Sequence, residues 1–169
     1  MILKNKIAII TGGATGIGRA TVETMAKQGA VVIFCDKNKQ QGIKNKKRLS
    51  NMGLETFFLS ADVSKESDVK KVINYTIKNF KQIDILFNNA GIEQNVTPSH
   101  KVDVKTFDKI IAVNLKGVFL FCKHTLPHMM KRKRGAIVNN SSISAFANVG
   151  GNISYAASKG AIMSLTRVL

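Results

Sequence analysis

Tryptophan is absent from these 169 residues, and only two prolines and two cysteines occur. Without Pro/Gly-rich linkers, repeats or low-complexity tracts, nothing divides the chain, so one domain spanning 1–169 is expected. The cysteines, Cys35 and Cys122, lie far apart and neither belongs to a C-x-x-C pair. That excludes a disulfide framework and points to reduced core thiols in a cytoplasmic protein. No apolar run reaches the roughly 18 residues of a membrane span. The opening "MILKNKIAIITGG" is broken by charge too early for a signal peptide and reads as a first buried strand. Metal ligands are scarce too. His124 and His128 are four apart on a predicted helix, but no Glu follows His124 and no third ligand is evident, so no metal is expected.

Negative charge is the other shortage. Ten Asp and Glu face 26 Lys and Arg, a formal net charge of +16. Such an excess suits a nucleic-acid or anionic-lipid partner. Yet the basic residues scatter over predicted surface faces and loops, including "KNKKR" (44–48) and "KRKR" (131–134). No aromatic interleaves with either run, and only five of the 26 are Arg, the residue suited to bidentate phosphate contacts. The charge therefore reads as a lysine-rich surface, with no nucleic-acid or membrane partner.

What is present is a regular alternation. At 44% hydrophobic residues the chain has enough apolar surface to bury a core. The continuous apolar run at 6–11 reads as a strand buried on both faces and 30–36 as a second buried strand, with further strands at 55–62, 83–91 and 135–142. Between them lie helical patterns at 17–29, ending at Gly29, and at 39–52, which is polar and lysine-rich. A third runs over 65–80, with Ser64 as its N-cap, and a long one over 103–131, in which Pro127 either makes a kink or marks the last turns. A final helix starts near Asn152. This β-α alternation predicts a parallel α/β sheet with helices on both faces. Ligands in such sheets sit beyond the carboxyl ends of the strands, which picks out Thr11, Asp36, Asp62, Asn88 and Ser142.

"TGGATGIG" (11–18) joins the first strand to the first helix. Gly12, Gly16 and Gly18 let a backbone approach a pyrophosphate, and the helix N-terminus offers it free N–H groups. Asp36, at the end of the second strand, is placed to accept hydrogen bonds from a ribose diol. It would repel a 2′-phosphate, which favours NAD over NADP, although Lys37 could reach a phosphate. Asp62 reads first as a turn-capping carboxylate. "NNAG" (88–91) reads as a structural Asn beside a backbone surface that faces a cofactor. Tyr155 and Lys159 are four apart and share a helix face. A phenol titrates near ~10, and a nearby ammonium favours its phenolate, the tuning general acid–base work requires. Ser142, at the end of the fifth strand, could hydrogen-bond a substrate oxygen.

Together "TGGATGIG", "NNAG", "NLKG" (114–117), "SS" (141–142) and "YAASK" (155–159) resemble the short-chain dehydrogenase/reductase family, in the family's order and over the whole chain. The resemblance implies a Rossmann-type doubly wound sheet in three αβα layers and hydride transfer between nicotinamide and a carbon bearing oxygen. It assigns Tyr155 as acid/base and Ser142 as the anchor of the substrate oxygen. Lys159 supports Tyr155 and binds the nicotinamide ribose, and Asn114 supports a water in a proton relay. The dinucleotide set becomes Gly12, Thr15, Gly16, Ile17, Gly18, Asp36, Asp62, Val63, Asn89, Ala90 and Gly91, with Tyr155 and Lys159. The implied activity is an NAD-dependent interconversion of a secondary alcohol and a ketone. An NADPH-dependent 3-oxoacyl-carrier-protein reductase is the enzyme alternative. Family members are longer, so further strands completing the sheet and a homo-oligomer surface are expected beyond Leu169. In that light strand five is an open edge, helix six leaves Ile162, Leu165 and Leu169 short of partners, and a silent dinucleotide-binding fragment is a third reading.

Overall fold

The computed structural model describes residues 1–147 and 152–169. Five strands, β1 (Ile7–Thr11), β2 (Val31–Asp36), β3 (Thr56–Ser60), β4 (Ile85–Asn88) and β5 (Ala136–Asn139), form one sheet in the order β3-β2-β1-β4-β5. Every pairing is parallel; Ile9, for example, stands opposite Ile33 on one side and Leu86 on the other. Helices α1 (Gly16–Lys27), α2 (Lys39–Asn51), α3 (Glu66–Phe80), α4 (Val104–Ile111), α5 (Gly117–Lys131) and α6 (Ile153–Arg167) cover it.

The continuous apolar runs follow from burial on two faces. Alternate residues of β1 enter different cores, because side chains along a strand point to opposite sides. Ile7 and Ile9 join Ile33, Leu86, Val72, Ile73, Phe121 and Ile162, a core under α3, α5 and α6. Ala8 and Ile10 join Val32, Phe34, Val22, Ala26 and Leu49, a core under α1 and α2. Each fully buried Ile or Phe here contributes about 1.5–3 kcal/mol over an exposed one.

Four expectations change. The 103–131 helix is not continuous. A π-helical turn, Ala112–Lys116, separates α4 from α5, while Pro127 falls in the last turns of α5. Ser64 does not cap α3. That position is Lys65, without a side-chain bond, and the Ser64 hydroxyl instead donates to Asp62 Oδ1 at 2.7 Å. Ile162 is not short of partners but 1% exposed in the core, with Leu165 packed on its margin. The strand ends are also shorter than the apolar runs suggest, β4 stopping at Asn88 and β5 at Asn139. Gly29 does follow α1 with φ of +91°, as a helix stop requires. Among the described residues β5 pairs with β4 alone, and Val138 is exposed.

Candidate functional site

The carboxyl ends of the strands are tied before any ligand enters. Thr11 Oγ1 accepts from the amides of Asn89 and Ala90, both at 3.0 Å. Asn89 Nδ2 donates to the Thr11 carbonyl at 3.2 Å. Two amide pairs bridge β4 and the end of β5: Asn88 Nδ2 to Asn139 Oδ1 at 2.8 Å and Asn140 Nδ2 to Asn89 Oδ1 at 3.2 Å. These bonds make Asn88 and Asn89 structural, and leave Ala90 and Gly91 to form a wall.

Next to that wall the glycine turn needs its glycines. Gly12 has φ of +66°, and a Cβ on it would press within 2.9 Å of the Ala90 Cα. A Cβ on Gly18 would overlap the Gly12 carbonyl oxygen. Gly16 also has positive φ, +53°, but open space around it. The first turn of α1 carries no acidic residue, and Thr15 makes no side-chain cap bond. Its N–H groups and positive dipole end are therefore left for an anion.

A cavity of about 330 Å³ opens here. Of the expected dinucleotide contacts, Gly12, Thr15, Asp36, Asp62, Val63, Asn89, Ala90 and Gly91 line it. Gly16, Ile17, Gly18, Tyr155 and Lys159 do not: Gly16 and Ile17 are exposed at the start of α1, Gly18 is buried beneath the turn, and Tyr155 and Lys159 stand on α6, Lys159 behind Gly91. Lys37, Asn38, Ala61, Ile92 and Val113 complete the lining. Asp36 is held from two sides, Oδ2 accepting from the Ala14 amide of the glycine turn at 3.1 Å and Oδ1 from the Asn38 amide of its own turn at 2.9 Å. Asp62 Oδ1 accepts from the Ser64 amide at 3.0 Å as well as from its hydroxyl. Burial pushes the Asp62 carboxyl up, but the Ser64 bonds outweigh it and hold it below its ordinary value. Its turn-capping reading and its place on the cavity are both real.

Beyond Gly91 lies the other end of the site. Lys159 is only 3% exposed, its Nζ donating to the Asn140 carbonyl at 2.7 Å and standing 5.5 Å from the centre of the Tyr155 ring. Burial lowers the pKa of this ammonium. A Cβ on Gly91 would sit 3.7 Å from Lys159 Nζ and 3.5 Å from Asn114 Oδ1, so the cavity wall touches both. Asn114, fully buried in the π-helical turn, accepts from the Ile92 amide at 2.8 Å and donates to the Ile92 carbonyl at 2.9 Å and to Ser158 Oγ at 3.1 Å. π-Helical turns re-aim a side chain in this way, frequently at functional sites. Ser142 Oγ accepts from the Ser144 amide at 3.2 Å, while its neighbour Ser141 donates to the Lys159 carbonyl at 2.9 Å. The structure thus brings Asn114 and Lys159 to Gly91, places Tyr155 beside Lys159, and seats Ser142 on the loop tied to α6 by Ser141.

Other candidates resolve into structural roles. His124 Nε2 bonds Glu66 Oε1 at 2.7 Å, and among the described residues no three His, Cys, Asp or Glu gather to hold a metal ion. Both thiols are free and buried. Burial pushes Cys122 up to about 11, outweighing the bond from Asn88, and pushes Cys35 up further, with help from Asp36, which favours the thiol form of both. Among the described residues no helix is long and apolar enough to cross a membrane. Sequence reasoning missed the Asn140 carbonyl, a backbone group with no signal in residue type. It also passed over Asn152 as a bonding residue, although a helix-start Asn is a capping signal.

The family model for short chain dehydrogenase matches residues 6–169. An uncharacterised oxidoreductase of Bacillus subtilis, YxbG, is 42% identical over 167 residues, covering 99% of this chain and 61% of the relative. Levodione reductase of Leifsonia aquatica is 34% identical over 166 residues, covering 96% and 62%. The crystal structure of levodione reductase superposes with a TM-score of 0.94 at 34% identity, covering 98% of this chain and 65% of that one. NAD+-bound xylitol dehydrogenase superposes with a TM-score of 0.95 at 28% identity, covering 99% and 65%. The chain spans 61–62% of the length of the two curated relatives.

Proposed function

We propose, from the premise that the chain belongs to the short-chain dehydrogenase family, that the protein interconverts a secondary alcohol and a ketone with NAD(H). One observation carries the reading. A buried ammonium, Lys159, stands 5.5 Å from the centre of the Tyr155 ring and close behind Gly91, a wall residue of the cavity that Asp36 also lines.

The residues suit a dinucleotide. The glycine turn leaves a cradle that a Cβ would fill, and α1 presents free N–H groups to a pyrophosphate. Asp36 Oδ1 and Oδ2 each take one backbone N–H and keep acceptor capacity for a ribose diol. Lys159 spends one of its three donors on Asn140 and keeps two for the second ribose. Nicotinamide bound there would supply the hydride acceptor or donor. The protein does the rest. Tyr155 gives a proton to the ketone oxygen in reduction and takes it from the alcohol in oxidation. Ser142 Oγ accepts from Ser144, so its hydrogen is free to point at the substrate oxygen. Asn114 has both N–H groups engaged and acts by position, holding Ile92 against Ser158. Ile17 and Gly16 contribute through the start of α1 rather than through the cavity wall.

Lys37 beside Asp36 on the cavity favours a second reading, an NADPH-dependent 3-oxoacyl reductase. A homo-oligomer belongs to the proposal, supported by exposed Phe119 and Met130 on α5. So does a cytoplasmic setting, supported by two free thiols.

Fluorescence titration separates the cofactors: NADH is expected to bind more tightly, and tighter NADPH binding would overturn the Asp36 assignment. On a panel of secondary alcohols, Tyr155→Phe is expected to lower kcat by about 10²–10⁴-fold. Equal rates in variant and wild type would remove Tyr155 from the reaction.

A further inference from the structure

The segment that follows β4 has no regular structure from Asn89 to Pro98, so no ladder fixes it. It nevertheless forms the partition of the site. Ile92 lines the cofactor cavity, and Ile92, Glu93 and Gln94 line a second, polar cavity of about 400 Å³ against α4. Its position depends on side chains reaching it from elsewhere.

One is Asn152, 7% exposed and directly before α6. Its Oδ1 accepts from the Tyr155 amide at 3.3 Å. Its Nδ2 donates to the Gln94 carbonyl at 2.9 Å and to Glu93 Oε1 at 3.4 Å. A single carboxamide therefore grips the loop with its donors and the first turn of α6 with its acceptor. Asn114 makes a matching grip one turn later, between Ile92 and Ser158. Tyr155 lies between the two ties on α6. A helix cap needs only the acceptor, and Ser or Asp supplies one as well as Asn does. The donors of Asn152 are surplus to capping and are spent on the loop.

We propose that Asn152 is a positioning residue for the reaction: it tethers Glu93 and Gln94 to the first turn of α6 and so, beside the Asn114 grip on Ile92, fixes the wall that a substrate meets near Tyr155. This rests on the dehydrogenase reading. It asks nothing of Asn152 towards the cofactor, which lies on the far side of Gly91.

The chemistry offers a clean separation of cap from tether. Asn152→Ser and Asn152→Asp keep an acceptor for the Tyr155 amide and lose both amide N–H donors; the single hydroxyl hydrogen of Ser is carried one bond nearer the backbone than Nδ2, short of the Gln94 carbonyl. Asn152→Ala loses everything. In the full chain, with the secondary alcohol that wild type turns over fastest, Ser and Asp variants are expected to raise KM about fivefold, the loss of one good hydrogen bond, with kcat changed less. NADH affinity by fluorescence is expected to stay within about twofold, since no cofactor contact is removed. Hydrogen exchange provides a readout free of turnover. Peptides covering 92–98 are expected to exchange faster in the Ser and Asp variants, while peptides covering 153–160 speed up only in the Ala variant.

Wild-type KM and wild-type exchange at 92–98 in both cap-retaining variants would overturn the proposal. An effect in Asn152→Asp that is missing in Asn152→Ser would assign it to repulsion from Glu93 and overturn it equally. If wild type oxidises no alcohol in the panel, the dehydrogenase reading fails on its own, and the exchange arm still decides the tether.

Discussion

Lys159 is expensive where it sits. A buried ammonium with one protein bond is disfavoured by desolvation, which lowers its pKa below the ordinary 10.5. Between that lowered value and 10.5 the unfolded chain holds a proton that the folded chain has released. Stability therefore rises with pH through that window. Lys159→Met removes this dependence. It also leaves the Asn140 carbonyl without its donor, a pH-independent cost of about 1–3 kcal/mol. Urea denaturation of both proteins at neutral pH and near pH 10 is expected to show wild type gaining on the variant as pH rises. A constant gap would mean that burial does not govern this ammonium. The residues of the candidate site were chosen on residue type: glycines at 12, 16 and 18, Asp36, Tyr155 and Lys159 carry their chemistry in their names. The groups that aim them were not. The Asn140 carbonyl holds Lys159, and any residue at 140 would present one.

Elements tell a similar story with a different cause. β1 and β2 were legible because two-sided burial forces unbroken apolar runs, Ile7–Thr11 and Val31–Asp36, whereas β3 and β5 at the sheet margins are only partly buried. The break at Ala112–Lys116 was not legible, because it depends on a bond between Asn114 and Ile92, which are 22 residues apart. Ser64 looked like a cap, but Asp62 takes its hydroxyl first. The tie between α3 and α5 offers a test at this scale. Glu66, in the first turn of α3, accepts from Lys123 at 3.0 Å and meets His124 at 2.7 Å, both on α5. Those partners, Lys123 foremost, lower its pKa from 4.5 to about 2. A lowered carboxylate pKa gives stability that is present above 4.5 and is lost as pH falls towards 2. Glu66→Gln is therefore expected to melt below wild type at pH 6, with the two melting curves converging by about pH 2. The site is exposed, so ~1 M salt is expected to narrow the gap at pH 6 as well. A gap that grows in acid would show that the carboxylate is not the tie.

At the scale of the whole molecule the charge of +16 has to be reconciled with the dinucleotide site proposed above. Several of the ten carboxylates are bound within the fold. Asp84, 5% exposed, takes Arg132 and the Ile7 amide, and Asp62 and Asp68 bond the turn between β3 and α3. The surface that faces solvent is correspondingly cationic. Such a field raises the local concentration of any polyanion and speeds its encounter. Encounter is not recognition, however. The basic runs at 44–48 and 131–134 carry no stacking platform, and Lys outnumbers Arg 21 to 5. Binding that rests on phosphate charge alone falls linearly in log affinity with log salt. A labelled duplex is therefore expected to bind at about 50 mM salt and to be released by about 200 mM. NADH, held by the glycine turn, Asp36 and Lys159 as well as by charge, is expected to stay bound across that range. A duplex retained at the higher salt would mean that the lysines form a built interface, and that the cationic surface has a partner of its own.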